Sequence, residues 1–571
     1  MTDDKPNRNN ASYQSISSVK AAKIAPRDDN LYAKKLFLII DNVPEMQRAV
    51  SMTLSTFGAN KVEYATRISD AFNKLGRFDF DVVLCDYDLG NGYDGLHLLE
   101  EIRERNLIKQ SCVFMIVTAE ARIERVVSAA ELSPDAYLLK PFTGEQLRVR
   151  LERAMRRRDA LRVVDQSIMK DEYLSAISEC DKRIAARDEF LLDFMKLKGS
   201  LELKIGDYLG AQSLYRDVLK IKALPWAKLG LGKTLVSTRQ YDQARELFEE
   251  VLEENSRVME AYDWLARIYE AKHDTANAKN TLSTATELSP VVVRRQKKLG
   301  EAAMQDGDFA TAQQAFTRTI DLAKYSTYRC PEDYAALARA QLASNDGKAA
   351  QQTVANLRRE FRNDPVANWV STVVESEVAT QAGQPHRGRE LLDDAIEKYR
   401  DLSPMLNENA RLELVHACYK SGREDAAVHV VQQMVKNNHD DELLLERIEQ
   451  VFNQVGRPEA GKQLIAENVQ SVVDLNNEAV RLAQSGEIEE AVALFNKAVD
   501  ELPSNSQIML NAVNAILAFV HRKGWHESHV ARAHELLERA RRADPANVKF
   551  QRLLVAYRNL IEKHGKTQWM L

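Results

Sequence analysis

The first 145 residues of this 571-residue chain contain short, unbroken apolar runs, whereas the rest has the periodicity of amphipathic helices. The clearest runs read LFLII, VVLC and VFMIV, and weaker ones lie at 62–64 and 136–139. Unbroken apolar runs of this length are typical of strands buried on both faces of a parallel sheet. Helical patterns lie between them, for example at Met46–Phe57 and Leu96–Arg105. This alternation predicts a doubly wound α/β domain, in which chemistry belongs at the carboxyl ends of the strands.

Polar residues stand at the ends of four of these predicted strands, and they are Asp41 with Asn42, Asp86, Thr118 and Lys140. Carboxylate and amide oxygens at adjacent strand ends are suitable ligands for Mg²⁺. A lysine and a hydroxyl at the same edge could neutralise and hydrogen-bond a phosphoryl group on the central acid. A single acid at a strand end often only begins a loop. Polar residues at the ends of four predicted strands, however, indicate a functional site at this edge of the sheet.

Four segments, FLIIDNVPEMQR, VVLCDYDLGNGYDG, FMIVTA and AYLLKPF, occur in this order over about 110 residues. Together they resemble the receiver domain of bacterial two-component response regulators. The resemblance implies a flavodoxin-like sheet of five parallel strands in the order 2-1-3-4-5. It also implies that a cognate histidine kinase or phosphotransfer protein phosphorylates Asp86, that Lys140 contacts the phosphoryl group, that Thr118 and Tyr137 are switch residues, and that the Lys140–Pro141 peptide bond is cis.

One position departs from the family pattern. The family normally has two carboxylates after the first strand, where this chain has Asp41 and Asn42. An amide oxygen can bind Mg²⁺ but supplies no negative charge, so we expect weaker metal binding. Asp88 could restore charge if its side chain turned inward. The expected Mg²⁺ ligands are therefore Asp41, Asn42, Asp86 and Asp88, in a weakened but functional site.

The remaining chain carries an internal repeat. Central alanines recur at spacings of 33, 34 and 34 residues, and each is followed four residues later by a large apolar residue. The alanines are Ala211, Ala244, Ala278 and Ala312, and the apolar residues are Tyr215, Phe248, Leu282 and Phe316. This pattern resembles the tetratricopeptide repeat, a helical hairpin that must stack on its neighbours to bury its apolar face. The resemblance implies an all-α superhelical solenoid that binds proteins.

These patterns predict a multidomain chain. No proline or glycine occurs between 145 and 189, so we expect the last receiver helix to continue into the solenoid. The predicted parts are a disordered leader (1–33), the receiver domain (34–155), a helical linker or degenerate first repeat (156–190), a solenoid of about ten repeats (191–547), and a capping helix with a tail (548–571).

Composition narrows the class of protein. With 44% hydrophobic and 29% charged residues the chain can bury a core, which excludes wholesale disorder. The 22 glycines and 14 prolines fall below their usual share, which argues against a β-rich fold. A net charge of −5 gives no global field for nucleic acid or membrane. The five scattered cysteines fit a reducing cytoplasm, and neither a signal peptide, a membrane helix nor a DNA-binding domain is expected.

Two polar clusters leave alternatives open. An arginine-rich stretch fits a solvated helix face, or a surface for an acidic partner or RNA; its members are Arg148, Arg150, Arg153, Arg156, Arg157, Arg158 and Arg162. Four asparagines of the last repeats could hydrogen-bond the backbone of an extended peptide, or could simply be exposed helix residues; they are Asn476, Asn477, Asn511 and Asn514.

The sequence thus predicts a signalling adaptor, in which phosphorylation of Asp86 controls protein binding by the solenoid. No motif indicates an enzyme beyond the receiver's own phosphotransfer and dephosphorylation. One alternative is a constitutive scaffold with a weakened receiver that no longer switches. A more remote alternative is an RNA-binding regulator, which rests only on the arginine-rich stretch. The partner of the solenoid and the cognate kinase remain unknown.

Overall fold

Five parallel strands form one sheet near the start of the chain in the computed structural model, in the order β2-β1-β3-β4-β5. The structure describes residues 32–90, 95, 98–99, 102, 107–109, 111–119, 134–256, 258–290, 292–324 and 328–571. The strands are β1 (Leu36–Ile40), β2 (Lys61–Ala65), β3 (Val82–Cys85), β4 (Val113–Thr118) and β5 (Ala136–Leu139). The expected flavodoxin-like order is therefore confirmed. Most of the helix predicted at 96–105 lies outside the described residues.

Helices pack on both faces of the sheet. They are α1 (Pro44–Ser55), α2 (Ile68–Leu75) and α3 (Gly144–Met169). Alternate residues of β1, β3 and β4 join two separate apolar clusters, one containing residues of α1 and α3 and the other containing residues of α2. This explains why the strands read as unbroken apolar runs. Helix α3 begins with a capping box between Thr143 and Gln146.

The packed receiver core begins before the predicted boundary at residue 34. Tyr32, which we expected in the leader, is only 2% exposed. Its ring centroid lies 5.8 Å from that of Phe57 and 6.3 Å from that of Phe37. Burial also raises the pKa of the Tyr32 hydroxyl. A lone aromatic residue outside any periodic segment gives no sequence signal of this packing.

From Tyr173 onward the described chain is helical, and none of its helices is long and apolar enough to cross a membrane. The helices are α4 (Tyr173–Ala185), α5 (Leu191–Lys204), α6 (Tyr208–Ile221), α7 (Pro225–Ser237), α8 (Tyr241–Glu254), α9 (Met259–Ala271), α10 (Thr275–Leu288), α11 (Val293–Gln305), α12 (Phe309–Ala323), α13 (Pro331–Ala343), α14 (Gly347–Glu360), α15 (Pro365–Gln381), α16 (Pro385–Leu402), α17 (Glu408–Lys420), α18 (Glu424–Asn437), α19 (Glu442–Gln454), α20 (Pro458–Ser485), α21 (Ile488–Glu501), α22 (Ser506–Lys523), α23 (Glu527–Ala543) and α24 (Val548–Lys563). Short 3₁₀ turns follow α16 and α24.

The chain divides into two compact units. The first comprises the described parts of Met1–Lys170, Leu174–Ala302 and Leu322–Tyr328, and the second comprises those of Asp171–Tyr173, Ala303–Asp321 and Arg329–Leu571. The first unit therefore contains the sheet together with the first helical hairpins. Helix α3, with 26 residues, runs without a break past the predicted domain boundary at 155, as the lack of helix breakers indicated.

The repeat positions pack as the spacing predicted. The four central alanines are at most 1% exposed. In the first unit, the ring of Phe248 is fully buried, and a Cβ added to Gly232 would lie 2.6 Å from it. The ring also stacks on Trp264 with centroids 6.4 Å apart. Small residues on one helix thus make room for a large ring on the next.

One expected turn is missing in the second unit. Repeats made of helical hairpins require a turn between successive helices, but α20 is one helix of 28 residues, twice the length of α21 with 14. Two hydrophobic clusters meet along it, one ending at Ile465 and the next beginning at Val472. The reason is local, because no glycine or proline lies between Gly461 and Gly486 to end the helix.

A buried acid in α5 predicts a pH dependence of stability. Glu202 is 5% exposed, and burial raises its pKa to about 7, although Lys198 lies 3.5 Å away. Glu202 binds its proton more tightly in the folded state than in the unfolded state, so protonation of this side chain stabilises the fold. This stabilisation is complete below pH 4.5 and is lost as the pH rises through 7. We expect Glu202→Gln to raise the free energy of unfolding by about 3 kcal/mol at pH 8 and to leave it unchanged at pH 4. Urea titrations at both pH values test this, and equal effects would contradict it.

Candidate phosphoacceptor site

The ammonium group of Lys140 lies between two carboxylates at the carboxyl edge of the sheet. Its Nζ donates to Asp41 Oδ2 and to Asp86 Oδ2, both at 2.8 Å. All three side chains are largely buried, with exposures of 10%, 4% and 14% for Lys140, Asp41 and Asp86. Three residues that are distant in the sequence are thus brought together, as the strand ends predicted.

Backbone hydrogen bonds hold these residues in place by continuing the sheet beyond the strands. Asp86 N donates to Ile40 O, and Lys140 N donates to Thr118 O, both at 2.7 Å. Each functional residue is therefore fixed directly by the neighbouring strand. The Lys140–Pro141 peptide bond is cis, as expected.

Burial and charge act in opposite directions on this cluster. Burial raises the pKa of Asp86, and the negative charge of Asp41 raises it further. The hydrogen bond and the positive charge of Lys140 lower this pKa but do not outweigh burial. Burial alone would lower the pKa of Lys140, but its hydrogen bonds to the two carboxylates outweigh burial and raise it. The lysine is therefore held as a cation next to the central acid.

The donor set fits a divalent cation at this edge. Oxygens of Asp41 and Asp86 already converge on one positive group, the Lys140 ammonium. Carboxylate oxygens are what Mg²⁺ requires. Asn42 follows directly and is exposed, so its amide could supply a neutral oxygen. Asp41 Oδ1 accepts a hydrogen bond from Val43 N at 2.9 Å, which fixes the carboxylate.

Asp88 is engaged in a local turn. Its side chain is exposed, and its Oδ1 accepts a hydrogen bond from Gly90 N at 3.0 Å. Gly90 has a φ of 76°, and a Cβ at this position would lie 3.5 Å from Asn42 Nδ2. This hydrogen bond occupies one oxygen of the Asp88 carboxylate, so the second oxygen is the candidate ligand for a metal ion.

The two predicted switch residues lie on neighbouring strands. Thr118 ends β4 and is 1% exposed, and it is in register with Leu139 of β5. Tyr137 is half-buried, in register with Ile116, and packs against the cluster that covers the α2 face of the sheet. Residues 120–133, which follow Thr118, lie outside the described part of the chain.

Two residues that support the site were not predicted. Gln47 is 5% exposed, and its Nε2 donates to Asp41 O at 2.7 Å and to Ala65 O at 2.9 Å. A Cβ on Gly95 would clash with Asp86 O and would lie 2.9 Å from Cys85 Sγ. Gln47 shares a helix face with the apolar Val50, and an amide at an apolar position was the available signal.

The four predicted groove asparagines do not act as one set. The amide of Asn511 hydrogen-bonds both Asn476 and Lys549, which joins α20, α22 and α24. Asn477 lies 34 residues before Asn511, about one repeat length, but the residue that contacts Asn511 is Asn476. Asn477 and Asn514 are exposed, and Asn477 lines an open cavity of about 750 Å³ along α20 with Asp474, Glu478, Arg481 and Gln484.

The arginine-rich stretch is only partly a solvated face. Arg148 pairs within α3, while three consecutive arginines pair with residues of other elements. These pairs are Arg156–Glu189, Arg157–Asp193 and Arg158–Asp135. Arg150, Arg153 and Arg162 are exposed. The interpretation as a solvated helix face is therefore wrong for Arg157 and Arg158, which are half-buried in ion pairs.

Comparisons with known proteins match both parts of the chain. A family model for the response regulator receiver domain matches residues 37–152, and one for the tetratricopeptide repeat matches residues 229–290. The chemotaxis protein CheY-3 of Vibrio cholerae is 35% identical over 120 residues, which make up 21% of this chain and 91% of that protein. The chemotaxis protein CheY of Pseudomonas aeruginosa is 30% identical over 120 residues, covering 21% of this chain and 95% of that protein.

Solved structures are similar to the same two parts. The chemotaxis response regulator CheY4 of Vibrio cholerae is 24% identical, with 21% of this chain and 98% of that chain covered and a TM-score of 0.19. The C-terminal part of a repeat-containing protein from Cytophaga hutchinsonii is 17% identical, with 44% and 99% covered and a TM-score of 0.35. The relationship to the CheY proteins rests on sequence identity over nearly their whole length. The chain belongs to the response regulator receiver family and carries tetratricopeptide repeats after its receiver domain.

Proposed function

We propose that this protein is a cytoplasmic signalling adaptor in which phosphorylation of Asp86 controls protein binding by the tetratricopeptide repeats. The phosphoryl donor is a histidine kinase or a phosphotransfer protein. The observation that carries the proposal is the position of the Lys140 ammonium, 2.8 Å from both Asp41 and Asp86. A fixed cation at this point is available to the phosphoryl group that Asp86 receives.

The proposed reaction is a direct phosphoryl transfer. A carboxylate oxygen of Asp86 attacks the phosphorus atom of the donor's phosphohistidine, the new O–P bond forms, and the P–N bond breaks with its electron pair going to the imidazole. Mg²⁺ bound by Asp41, Asn42, Asp86 and Asp88 would neutralise the phosphoryl oxygens. Lys140 exchanges its hydrogen bond with Asp86 for one with a phosphoryl oxygen and keeps the negative charge compensated.

Labelling by a small phosphodonor tests the proposal. We expect acetyl phosphate to phosphorylate the full chain in the presence of Mg²⁺ and to leave Asp86→Asn unlabelled, because the amide is not a nucleophile for this transfer. Intact-mass measurement detects the added phosphoryl group. No labelling of the wild-type chain at saturating Mg²⁺ would contradict the proposal and would favour the constitutive scaffold, for which the neutral Asn42 is the main support.

For the repeats we propose that a peptide of an unidentified partner binds along α20. Asn477 is exposed and lines the cavity on that helix, so its amide is accessible to a peptide backbone. Asn511 instead holds Asn476 and Lys549, and its replacement would disturb the packing of three helices. Asn477→Ala is therefore the cleaner variant. It should weaken partner binding with the urea-unfolding midpoint unchanged, and undiminished binding would remove this part of the proposal.

The RNA-binding alternative has less support than the sequence indicated. It rested only on the arginine-rich stretch, but Arg156, Arg157 and Arg158 make ion pairs with acids of other elements. Those charges are already neutralised within the first unit. The four exposed arginines of this helix, Arg150, Arg153, Arg156 and Arg162, do not form the extended basic surface, with aromatic residues interleaved, that single-stranded RNA requires.

A further inference from the structure

We propose that Arg157 and Arg158 couple the occupancy of the phosphoacceptor site to the packing of α5, the second helix after the receiver. The inference rests on the proposed function and names its route of regulation. Arg158 binds Asp135 at the start of β5, and Arg157 binds Asp193 in the first turn of α5. Adjacent residues of one helix thus hold a sheet strand and a solenoid helix at the same time.

Asp135 is built into the sheet. Its side chain is 3% exposed, and its Oδ2 accepts a hydrogen bond from Phe114 N at 2.8 Å. Its own N donates to Phe114 O at 2.8 Å. The remaining carboxylate oxygen, Oδ1, lies 2.6 Å from Arg158. A shift of β5 along its axis would therefore have to move or break the Arg158 contact.

The strand that begins after Asp135 ends at the phosphoacceptor site. β5 has only four residues, and Lys140 follows it immediately. Lys140 is the group that has to exchange Asp86 for a phosphoryl oxygen when the site is occupied. A short extended strand, hydrogen-bonded to β4 along its length, transmits such a displacement from one end to the other. The site and Asp135 are thus opposite ends of one rigid element.

Helix α3 continues the connection beyond the receiver. Its first half buries Leu147 and Leu151 in the receiver core. Two residues beyond Met155, the last residue of α3 in that core, Arg157 Nε lies 2.7 Å from Asp193 Oδ1, and Arg157 also lies 3.8 Å from Asp135. Arg157 therefore stands between the strand and α5. Any rearrangement of β5 that displaces this arginine changes how α5 is held.

The neighbouring pair Arg156–Glu189 provides a matched control on the same turn of α3. Arg156 and Glu189 are 48% and 46% exposed, Arg157 and Asp193 are 36% and 32% exposed, and Arg158 and Asp135 are 19% and 3% exposed. Exposed ion pairs contribute little because solvent screens them. Breaking a buried pair has a large effect, since it leaves a charge without compensation. The pairs Arg158–Asp135 and Arg157–Asp193, named the inner pairs, are less exposed than Arg156–Glu189 and share Asp135, which lies 3.8 Å from Arg157. A change of state is therefore expected to pass through the inner pairs.

The direction of the effect follows from the contacts. The inner ion pairs coexist with Lys140 bound to Asp86, so they stabilise the arrangement in which that aspartate carries no phosphoryl group. Breaking the Arg157–Asp193 pair should shift the population towards the arrangement that accepts one. Because coupling is reciprocal, the effect must appear at the phosphoacceptor site as tighter binding of a phosphoryl analogue.

The test measures the affinity of the full chain for Mg²⁺–beryllofluoride, a phosphoryl analogue. We expect Asp193→Asn to raise this affinity about fivefold, within the usual range of coupling between sites, and Asp193→Glu to stay close to wild type because it keeps the charge. Glu189→Gln should change it less than about twofold, because its pair is solvent-exposed. Hydrogen exchange of Leu191–Lys204 monitors the folding of each variant.

Two different failures can be told apart. If the wild-type chain binds beryllofluoride and Asp193→Asn binds it equally well while α5 exchanges faster, the ion pair is structural only and the coupling is refuted. An Asp193→Asn variant that does not fold leaves Asp193→Ser and Arg157→Gln to decide in the same way. If the wild-type chain does not bind beryllofluoride at all, the proposed function fails, and the coupling fails with it.

Discussion

Replacing Asn42 with aspartate should lower the Mg²⁺ concentration for half-maximal phosphorylation by about tenfold, which corresponds to about 1.4 kcal/mol of binding free energy. Asn42 follows Asp41 at the edge where the carboxylates converge on Lys140. A second carboxylate replaces a neutral oxygen with a charged one, and the affinity of hard cations rises with ligand charge. The rate of labelling by acetyl phosphate, measured across a Mg²⁺ titration, gives the concentration directly.

The matched control adds the same charge at the other edge of the sheet. Asn60 is exposed and precedes β2, so Asn60→Asp lies at the amino end of a strand rather than at the carboxyl end. We expect no change in the Mg²⁺ requirement there. An Asn42→Asp variant with an unaltered titration would show that this side chain does not contact the metal, and Asp88→Asn would then show whether the neighbouring loop supplies the charge.

Replacing Phe248 with alanine should lower the free energy of unfolding by about 3–5 kcal/mol, as for other fully buried aromatic residues. The ring is fully buried, faces Gly232 across the helix interface and stacks on Trp264. Its removal leaves a cavity that the neighbouring glycine cannot fill. Urea unfolding followed by far-ultraviolet circular dichroism measures the loss, and the Trp264 fluorescence should report it at the site.

An exposed residue of similar hydrophobicity serves as the control for this prediction. Leu209 is 81% exposed in the first turn of α6, and Leu209→Ala should change the free energy of unfolding by less than about 0.5 kcal/mol. A second variant adds an atom on the other side of this contact. Gly232→Ala should destabilise the chain by about 1–3 kcal/mol, because the new Cβ would lie 2.6 Å from the Phe248 ring. Equal effects of Phe248→Ala and Leu209→Ala would contradict the packing described here.

The residues at the centre of the site were predictable because they follow strands. Parallel strands place their carboxyl ends at one edge of the sheet. Once the alternation of strands and helices is recognised in the sequence, Asp41, Asp86 and Lys140 are therefore predicted to lie close together. Residues that support the site from a distance give no such signal. Gln47 lies on a helix and donates a hydrogen bond to the backbone carbonyl of Asp41. Asp135 lies at the opposite edge of the sheet. Neither residue follows the carboxyl end of a strand.

The repeats show the same division between periodic and local information. The spacing of the central alanines and of the large apolar residues four positions later predicted that Ala244 and Phe248 are buried, because each repeat buries the same face. It did not predict that α20 spans two expected helices, since a helix ends where its own sequence has a breaker. The repeat length of 34 residues also relates Asn477 to Asn511. In the continuous helix α20, however, the residue that contacts Asn511 is Asn476.

Occupancy of Asp86 should alter the helical repeats, and hydrogen exchange of the full chain measures this change. The measurement compares peptides from α5 onward with and without Mg²⁺–beryllofluoride, in wild type and in Asp86→Asn. We expect hydrogen exchange in α5 and in the helices that follow to change in the wild-type chain and to stay the same in the variant. Identical exchange in wild type, at beryllofluoride concentrations that saturate the site, would contradict it.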